Sequence, residues 1–384
     1  MKAQYIHTNV EIAQSSKKTG DVCGDVVDVY RNATSTNIVL CDGIGSGLKA
    51  NIYAKMCCAR IIHMLREGSS VKRTFETVGE TMNKAWGTGD PFSVFTIVSI
   101  LNTGNTTIMA YDMPSPIFIC KQYANVVKSR TYYWKKALIH ESHLILRKNE
   151  GVVIMSDGIT QAGLGNGLIN GWESEGVVKF VNLNSYIHNI QYRDLTNSIH
   201  KQALKLWGKK YGDDCTVVTA YNKRGITLNV LTGTPESKED DNSFVMDYMQ
   251  SEGIKVVCGG STSMMLAREL KKPVEIKEEM SPIVPPSFII PGITLATEGM
   301  ITLNQLFNLL NEDIDSSSGD NIVLELLEYF QTADKILFWV GKSGNIGHNM
   351  LELKQQGIQN RLAIVKLIAH KLRELEKLVV IKTH

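Results

Sequence analysis

Two apolar, strand-like runs in this chain stop on the same pair of residues: Ile38-Val39-Leu40-Cys41 leads into Asp42-Gly43, and Val152-Val153-Ile154-Met155-Ser156 leads into Asp157-Gly158. A carboxylate that ends an apolar strand sits on the rim of a sheet. A glycine after it lets the chain turn sharply and offer its own carbonyl. Taken singly, each Asp-Gly is a turn signal and nothing more. A third acidic segment, Gly212-Asp213-Asp214-Cys215-Thr216, opens a strand-like run instead of closing one. If that strand runs antiparallel to the others, its acids reach the same edge. A fourth segment, Gly20-Asp21-Val22-Cys23-Gly24-Asp25, precedes the first. Carboxylates converging with a glycine carbonyl make an oxygen-only donor set, the kind that suits Mg²⁺ or Mn²⁺.

The flanking pattern predicts what carries these motifs. Residues 21–41 alternate around the turn-rich Arg31-Asn32-Ala33-Thr34-Ser35, which predicts a hairpin. Near-helical apolar spacing predicts helices over 48–65, 71–86 and 195–207. Short strand-prone runs at 92–101, 106–111, 117–120, 144–146, 152–155 and 215–221 are divided by Gly, Asn and Pro. Many strands with helices segregated in sequence predict an α+β sandwich.

Past residue 222 the pattern changes. Strand-like 226–231, 254–258, 335–340 and 378–381 alternate with helix-like 263–270 and 362–375, which predicts a smaller α/β domain over 223–384. At 384 residues, two domains, 1–222 and 223–384, are expected. Residues 313–320 read as an exposed loop, and the Pro-rich segment around Pro282, Pro285 and Pro286 has no decodable spacing. Cys258-Gly259-Gly260-Ser261-Thr262-Ser263 places a glycine-rich turn between strand and helix; such a turn can hold an anion on backbone N–H groups, but simple chain reversal is the favoured reading.

Composition excludes several function classes. Lys and Arg total 41 against 39 Asp and Glu, so no global field favours nucleic acid or an anionic membrane. The seven cysteines lack CxxC spacing and several lie in apolar runs, which fits inert, buried thiols in a reducing cytoplasm. The N-terminal residues Met1-Lys2-Ala3-Gln4-Tyr5 lack an apolar signal region, and no apolar stretch approaches the ~18 residues needed to span a bilayer. A soluble, cytoplasmic protein is expected.

In their order and attachment to strands, the four acidic motifs resemble those of the metal-dependent, type-2C-like (PPM) protein phosphatases. Asp42-Gly43-Ile44-Gly45-Ser46-Gly47 is similar to the bacterial branch typified by SpoIIE and stress-response phosphatases. That resemblance, over about residues 1–222, implies a central β-sandwich flanked by helices in α-β-β-α layers. It implies two divalent cations, Mn²⁺ or Mg²⁺, with Asp42 bridging both, the Gly43 carbonyl on one, and Asp157 and Asp213 on the other. It implies too that Asp25, counted among the metal-binding residues, orients metal-bound water, and that Asp214 stands beside the ligands. Asp21 and Asp112 are weaker candidates, the latter for a third metal. Eukaryotic relatives hold the substrate phosphate with an upstream arginine. Here that region reads Ser15-Ser16-Lys17-Lys18-Thr19-Gly20, and Lys18 reads as a solvated loop lysine.

The resemblance further implies hydrolysis of phosphoserine or phosphothreonine by a water that two metals activate, with no protein nucleophile. The partner it implies is a phosphorylated regulatory protein such as an anti-sigma-factor antagonist, and it leaves room for a homodimer. Neither Asp-x-Asp after the first strand nor Cys-x5-Arg is present, which excludes the aspartyl and cysteine phosphatase mechanisms. No histidine among His7, His63, His140 and His143 is singled out as proton donor. Two other readings stand beside this one: a non-catalytic ligand-sensing protein on the same scaffold, and a hydrolase of small phosphate compounds. Because the helix from Leu48 follows the acidic loop directly, its displacement would disturb Asp42 and Gly43 and offers a means of regulation.

Overall fold

The computed structural model describes residues 5–384 apart from 19, 89–91, 122, 189–191, 209–211, 278–285, 311, 313–320 and 344–358. The expected loop at 313–320, and most of the Pro-rich segment, lie outside the described residues. Two compact units, Met1–Arg224 and Gly225–His384, divide the chain.

The first unit holds two antiparallel sheets. One is built from β2 (Asp25–Arg31), β3 (Ser35–Gly43), β4 (Ser93–Leu101), β5 (Asn105–Tyr111), β8 (Arg130–Trp134) and β9 (Ala137–Ile145), in the order β2-β3-β4-β5-β9-β8. The other joins β1 (Ile6–Ser15), β6 (Ile117–Cys120), β7 (Ala124–Val126), β10 (Glu150–Met155) and β11 (Cys215–Arg224), in the order β1-β11-β10-β6-β7. Alternation along the strands sends one set of side chains inward. Ile38, Leu40, Val98, Ile100 and Ile108 meet Val152, Ile154, Val218 and Ala220 in a core that seals the two sheets together.

The outward faces are also apolar and are covered by helices. Helices α1 (Gly47–Arg66) and α2 (Val71–Ala85) cover the six-stranded sheet through Ala54, Cys57, Cys58, Ile61, Phe75 and Val78 against Val39, Cys41, Phe95 and Ile97. Beyond the short α3 (Asp157–Thr160), α4 (Glu173–His188) and α5 (Tyr192–Trp207) cover the five-stranded sheet. The result is the α-β-β-α layering expected for a helix-flanked sandwich. The hairpin between β2 and β3 turns on Asn32, whose Oδ1 accepts from the backbone N–H groups of Thr34 and Ser35 at 2.9 and 2.8 Å.

The second unit is an α/β layer structure. Strands β12 (Thr227–Thr232), β13 (Ile254–Cys258), β16 (Leu295–Thr297), β17 (Lys335–Val340) and β18 (Leu378–Thr383) are parallel in the order β16-β13-β12-β17-β18. Antiparallel β15 (Ser287–Ile289) and β14 (Glu275–Lys277) extend one edge. Helices α6 (Asp241–Gln250) and α7 (Gly260–Leu270) pack on one face. Helices α8 (Met300–Leu309), α9 (Ile322–Thr332) and α10 (Arg361–Glu374) pack on the other. A sheet covered on both faces explains why its strands read as continuous apolar runs. The Gly259-Gly260 turn is a strand-to-helix reversal between β13 and α7.

Candidate metal centre

Sheet register decides where the acidic motifs go. Asp25, at the start of β2, is paired directly with Asp42 near the end of β3. On the other sheet, β10 and β11 run antiparallel with Met155 opposite Val217, so Asp157, just past the end of β10, and Asp213 and Asp214, just before β11, share one rim. Asp42 feels the charges of Asp25, Asp157 and Asp213, and Asp25 those of Asp157 and Asp214, which links all five electrostatically. Segments distant in sequence thus bring five carboxylates together at one end of the sandwich.

Asp25 is 2% exposed, and its Oδ2 accepts from Thr216 Oγ1 at 2.6 Å. Gln14 Nε2 in turn donates to Thr216 Oγ1 at 2.9 Å and to the Asp25 carbonyl at 3.2 Å. Asp25 Oδ1 is buried and has no hydrogen-bond partner. Burial, joined by the charges of Asp214 and Asp157, pushes the Asp25 carboxyl up to about 7 against opposing hydrogen bonds from Thr216 and Ser156. Burial likewise holds the Asp42 carboxyl well above its ordinary range, and Asp25, Asp157 and Asp213 raise it further. Asp157 is raised in the same direction by burial and by Asp213, while hydrogen bonds from Asp42 and Gln161 oppose the rise.

Backbone and neighbouring side chains fix these groups. Gln161 Nε2 donates to Asp157 Oδ2 at 2.9 Å. Asp214 Oδ1 accepts the Lys17 backbone N–H at 2.8 Å, and Lys17 Nζ lies 3.5 Å from Asp213 Oδ1. A Cβ on Gly43 would lie 2.0 Å from the Ala50 carbonyl oxygen in α1, so only glycine lets the helix close over the end of β3. Gly158 is constrained in the same way by the Asp214 carbonyl oxygen, also at 2.0 Å.

Two of the weaker candidates stand apart. Asp21 is exposed in the loop before β2. Asp112, with φ of 53°, follows β5 on the same sheet two strands from Asp42, and its Oδ1 accepts from Leu138 N at 3.3 Å. Its electrostatic neighbours are Tyr111 and His140. Sequence reasoning missed Gln14, Thr216, Gln161 and Lys17. It also missed His200, whose Nε2 pairs with Ser15 Oγ at 2.9 Å beside the rim and which burial holds below the usual histidine range.

A metal fits this set on chemical grounds. All donors are oxygens, as a hard divalent cation requires, and one buried oxygen has no protein partner. Among the described residues no three His, Cys, Asp or Glu are gathered into a ready metal-binding group. Mg²⁺ takes only one or two carboxylates and keeps several waters, so it does not need such a group.

Among the described residues no helix is long and apolar enough to cross a membrane. A comparison with curated proteins found no match. Among solved structures, the chain is similar to the RsbU and RsbW domains of a Mycobacterium tuberculosis protein, with 13% identity, a TM-score of 0.49, and coverage of 64% of this chain and 69% of that one. It is also similar to the PP2C phosphatase domain and regulatory fragment of SpoIIE from Bacillus subtilis, with 14% identity, a TM-score of 0.48, and coverage of 57% and 65%. For the SiaA PP2C domain of Pseudomonas aeruginosa the values are 14%, 0.44, 55% and 84%. The family model described as Stage II sporulation protein E matches residues 32–222, and that segment of the chain is a domain of the SpoIIE family.

Proposed function

We propose that the first unit is a metal-dependent phosphatase that hydrolyses phosphoserine or phosphothreonine on a regulatory protein. The observation that carries this reading is Asp25 Oδ1, a buried carboxylate oxygen without a partner inside a group of five interacting aspartates. An unsatisfied buried oxygen is costly, and a hydrated divalent cation relieves that cost.

In this reading Asp42, the Gly43 carbonyl, Asp157 and Asp213 would hold two cations, Mn²⁺ or Mg²⁺. Such ions supply Lewis acidity, which activates water and draws charge off the phosphoryl oxygens. Asp25 orients the attacking water through its unpartnered oxygen while Thr216 and Gln14 fix the rest of the carboxylate. Gln161 sets the angle of Asp157. Lys17, exposed beside Asp213, offers a positive charge to the phosphoryl group where no arginine is present in the loop. A phosphorylated anti-sigma-factor antagonist is the protein substrate that the family resemblance suggests.

Phosphate release from a phosphoserine peptide and from p-nitrophenyl phosphate tests the reading. Turnover is expected with Mn²⁺ or Mg²⁺ and not in EDTA. Asp42→Asn should lower it at least about 100-fold, since even groups that only support metal ligands cost 10–100-fold when lost. A metal-saturated wild-type chain inert toward both substrates would sink the proposal and leave the ligand-sensing alternative.

A further inference from the structure

We infer that a cavity beside the acidic loop seats an apolar side chain of the substrate protein, close in sequence to its phosphorylated residue. The inference rests on the phosphatase reading above and adds a determinant of substrate choice.

The cavity has a volume of about 600 Å³, within the range of ligand pockets. Ile44, Gly45 and Ser46 line it from the loop, Lys49 and Tyr53 from α1, and Trp86 and Phe92 from the segment between α2 and β4. Its walls are held in place. Ile44 N donates to the Phe92 carbonyl at 3.1 Å, and Trp86 meets Phe92 edge-on with ring centroids 4.9 Å apart. Ile44 is 59% exposed on the loop that carries Asp42.

Chain geometry links the cavity to the metal centre. Ile44 follows Asp42 by two residues, so their Cα atoms are at most about 7.6 Å apart, and an extended peptide advances about 3.3 Å per residue. An extended peptide whose phosphoryl group sits at the aspartates and which runs along this loop lays residues about two positions away over the cavity. The lining selects their character. Ser46 and Lys49 supply its polar side chains, and the remainder is apolar, aromatic or glycine. An aromatic or aliphatic side chain buries its surface there against Ile44, Trp86 and Phe92. Lys49, with Nζ 5.6 Å from the Tyr53 ring centroid, disfavours a basic residue.

Two phosphoserine peptides that differ only in carrying phenylalanine or glycine two residues to each side of the phosphoserine test this on the full chain with Mn²⁺. Wild type is expected to prefer the phenylalanine peptide about tenfold in kcat/KM, the discrimination typical of one apolar pocket. Trp86→Ala and Ile44→Ser should each reduce that ratio to about 2 or less; Ile44 lies on an exposed loop, so its replacement does not endanger folding. Equal kcat/KM for the two peptides in wild type, or a ratio unchanged in Ile44→Ser, overturns the inference and leaves the phosphatase reading intact. Failure to hydrolyse either peptide or p-nitrophenyl phosphate overturns both.

Discussion

At Asp25, burial and charge act in the same direction, and the consequence can be measured without any substrate. The folded chain raises this carboxyl from 3.8 to about 7. Between those values the folded state holds a proton that the unfolded state has released, so stability falls as pH rises through that window. Asp42 and Asp157 shift the same way and steepen the trend. In EDTA, calorimetry should therefore show the melting temperature of the first unit dropping between pH 5 and pH 8, with a shallower slope in Asp25→Asn. Added Mn²⁺ should restore most of the loss at pH 8, where the ligands need to be ionised in any case. A melting temperature that rises over this range in EDTA would show that the carboxylates have other partners. The shared rim of the aspartates was legible in the sequence, because each acidic segment adjoins a strand-like run and an antiparallel β10 and β11 bring their ends to one edge. Thr216 and Gln14 were not: the Thr216 to Asp25 bond spans 191 positions and joins β11 of one sheet to β2 of the other, so it exists only once the two sheets have packed together. The same holds for Lys17, which lies beside Lys18 in sequence and is set apart from it only by its contact with Asp213.

Among the elements, α2 connects core packing to the candidate site. Its Phe75 is 1% exposed and packs against Phe95 and Trp134, with centroids 5.3 and 6.4 Å away, while Tyr111 stacks on Phe95 at 5.3 Å. The helix ends at Ala85, so the residues that follow it, Trp86 and Gly87, reach the cavity beside the acidic loop. Phe75→Ala should cost about 3–5 kcal/mol, as removal of a fully buried aromatic ring generally does. Urea unfolding would check this, and a cost under about 1 kcal/mol would mean that α2 is not anchored through Phe75. Helices α1 and α2 and the hairpin of β2 and β3 were readable because their apolar spacing is regular. Strand β9 was expected only over 144–146 and in fact begins at Ala137, since its earlier residues include His140, Glu141 and Ser142 and hide the alternation. Strand β1 was missed for a similar reason: only three of its ten residues are buried, and two of these, His7 and Thr8, are polar. Helix α4 lacks a strong apolar stripe and was missed as well.

For the whole molecule, each unit builds sheets of its own. Both sheets of the first unit are complete before Gly225, and the second unit builds its seven strands from residues after it. The α/β character of the second unit was legible from strand and helix alternation, because a sheet buried on both faces leaves uninterrupted apolar strands. Its edge strands β14 and β15, three residues each, are too short to leave a pattern. Asp25, Asp42, Asp157, Asp213 and the cavity residues all lie in the first unit. A fragment ending at Arg224 should therefore unfold in a single cooperative step and retain divalent-dependent phosphate release. A fragment beginning at Gly225 should fold and show no such activity. Each half has the size of an independent domain and its own buried core, so neither outcome depends on the other half being present. If the first fragment folds, by circular dichroism and calorimetry, yet releases no phosphate under conditions where the full chain does, then a residue beyond Gly225 belongs to the reaction.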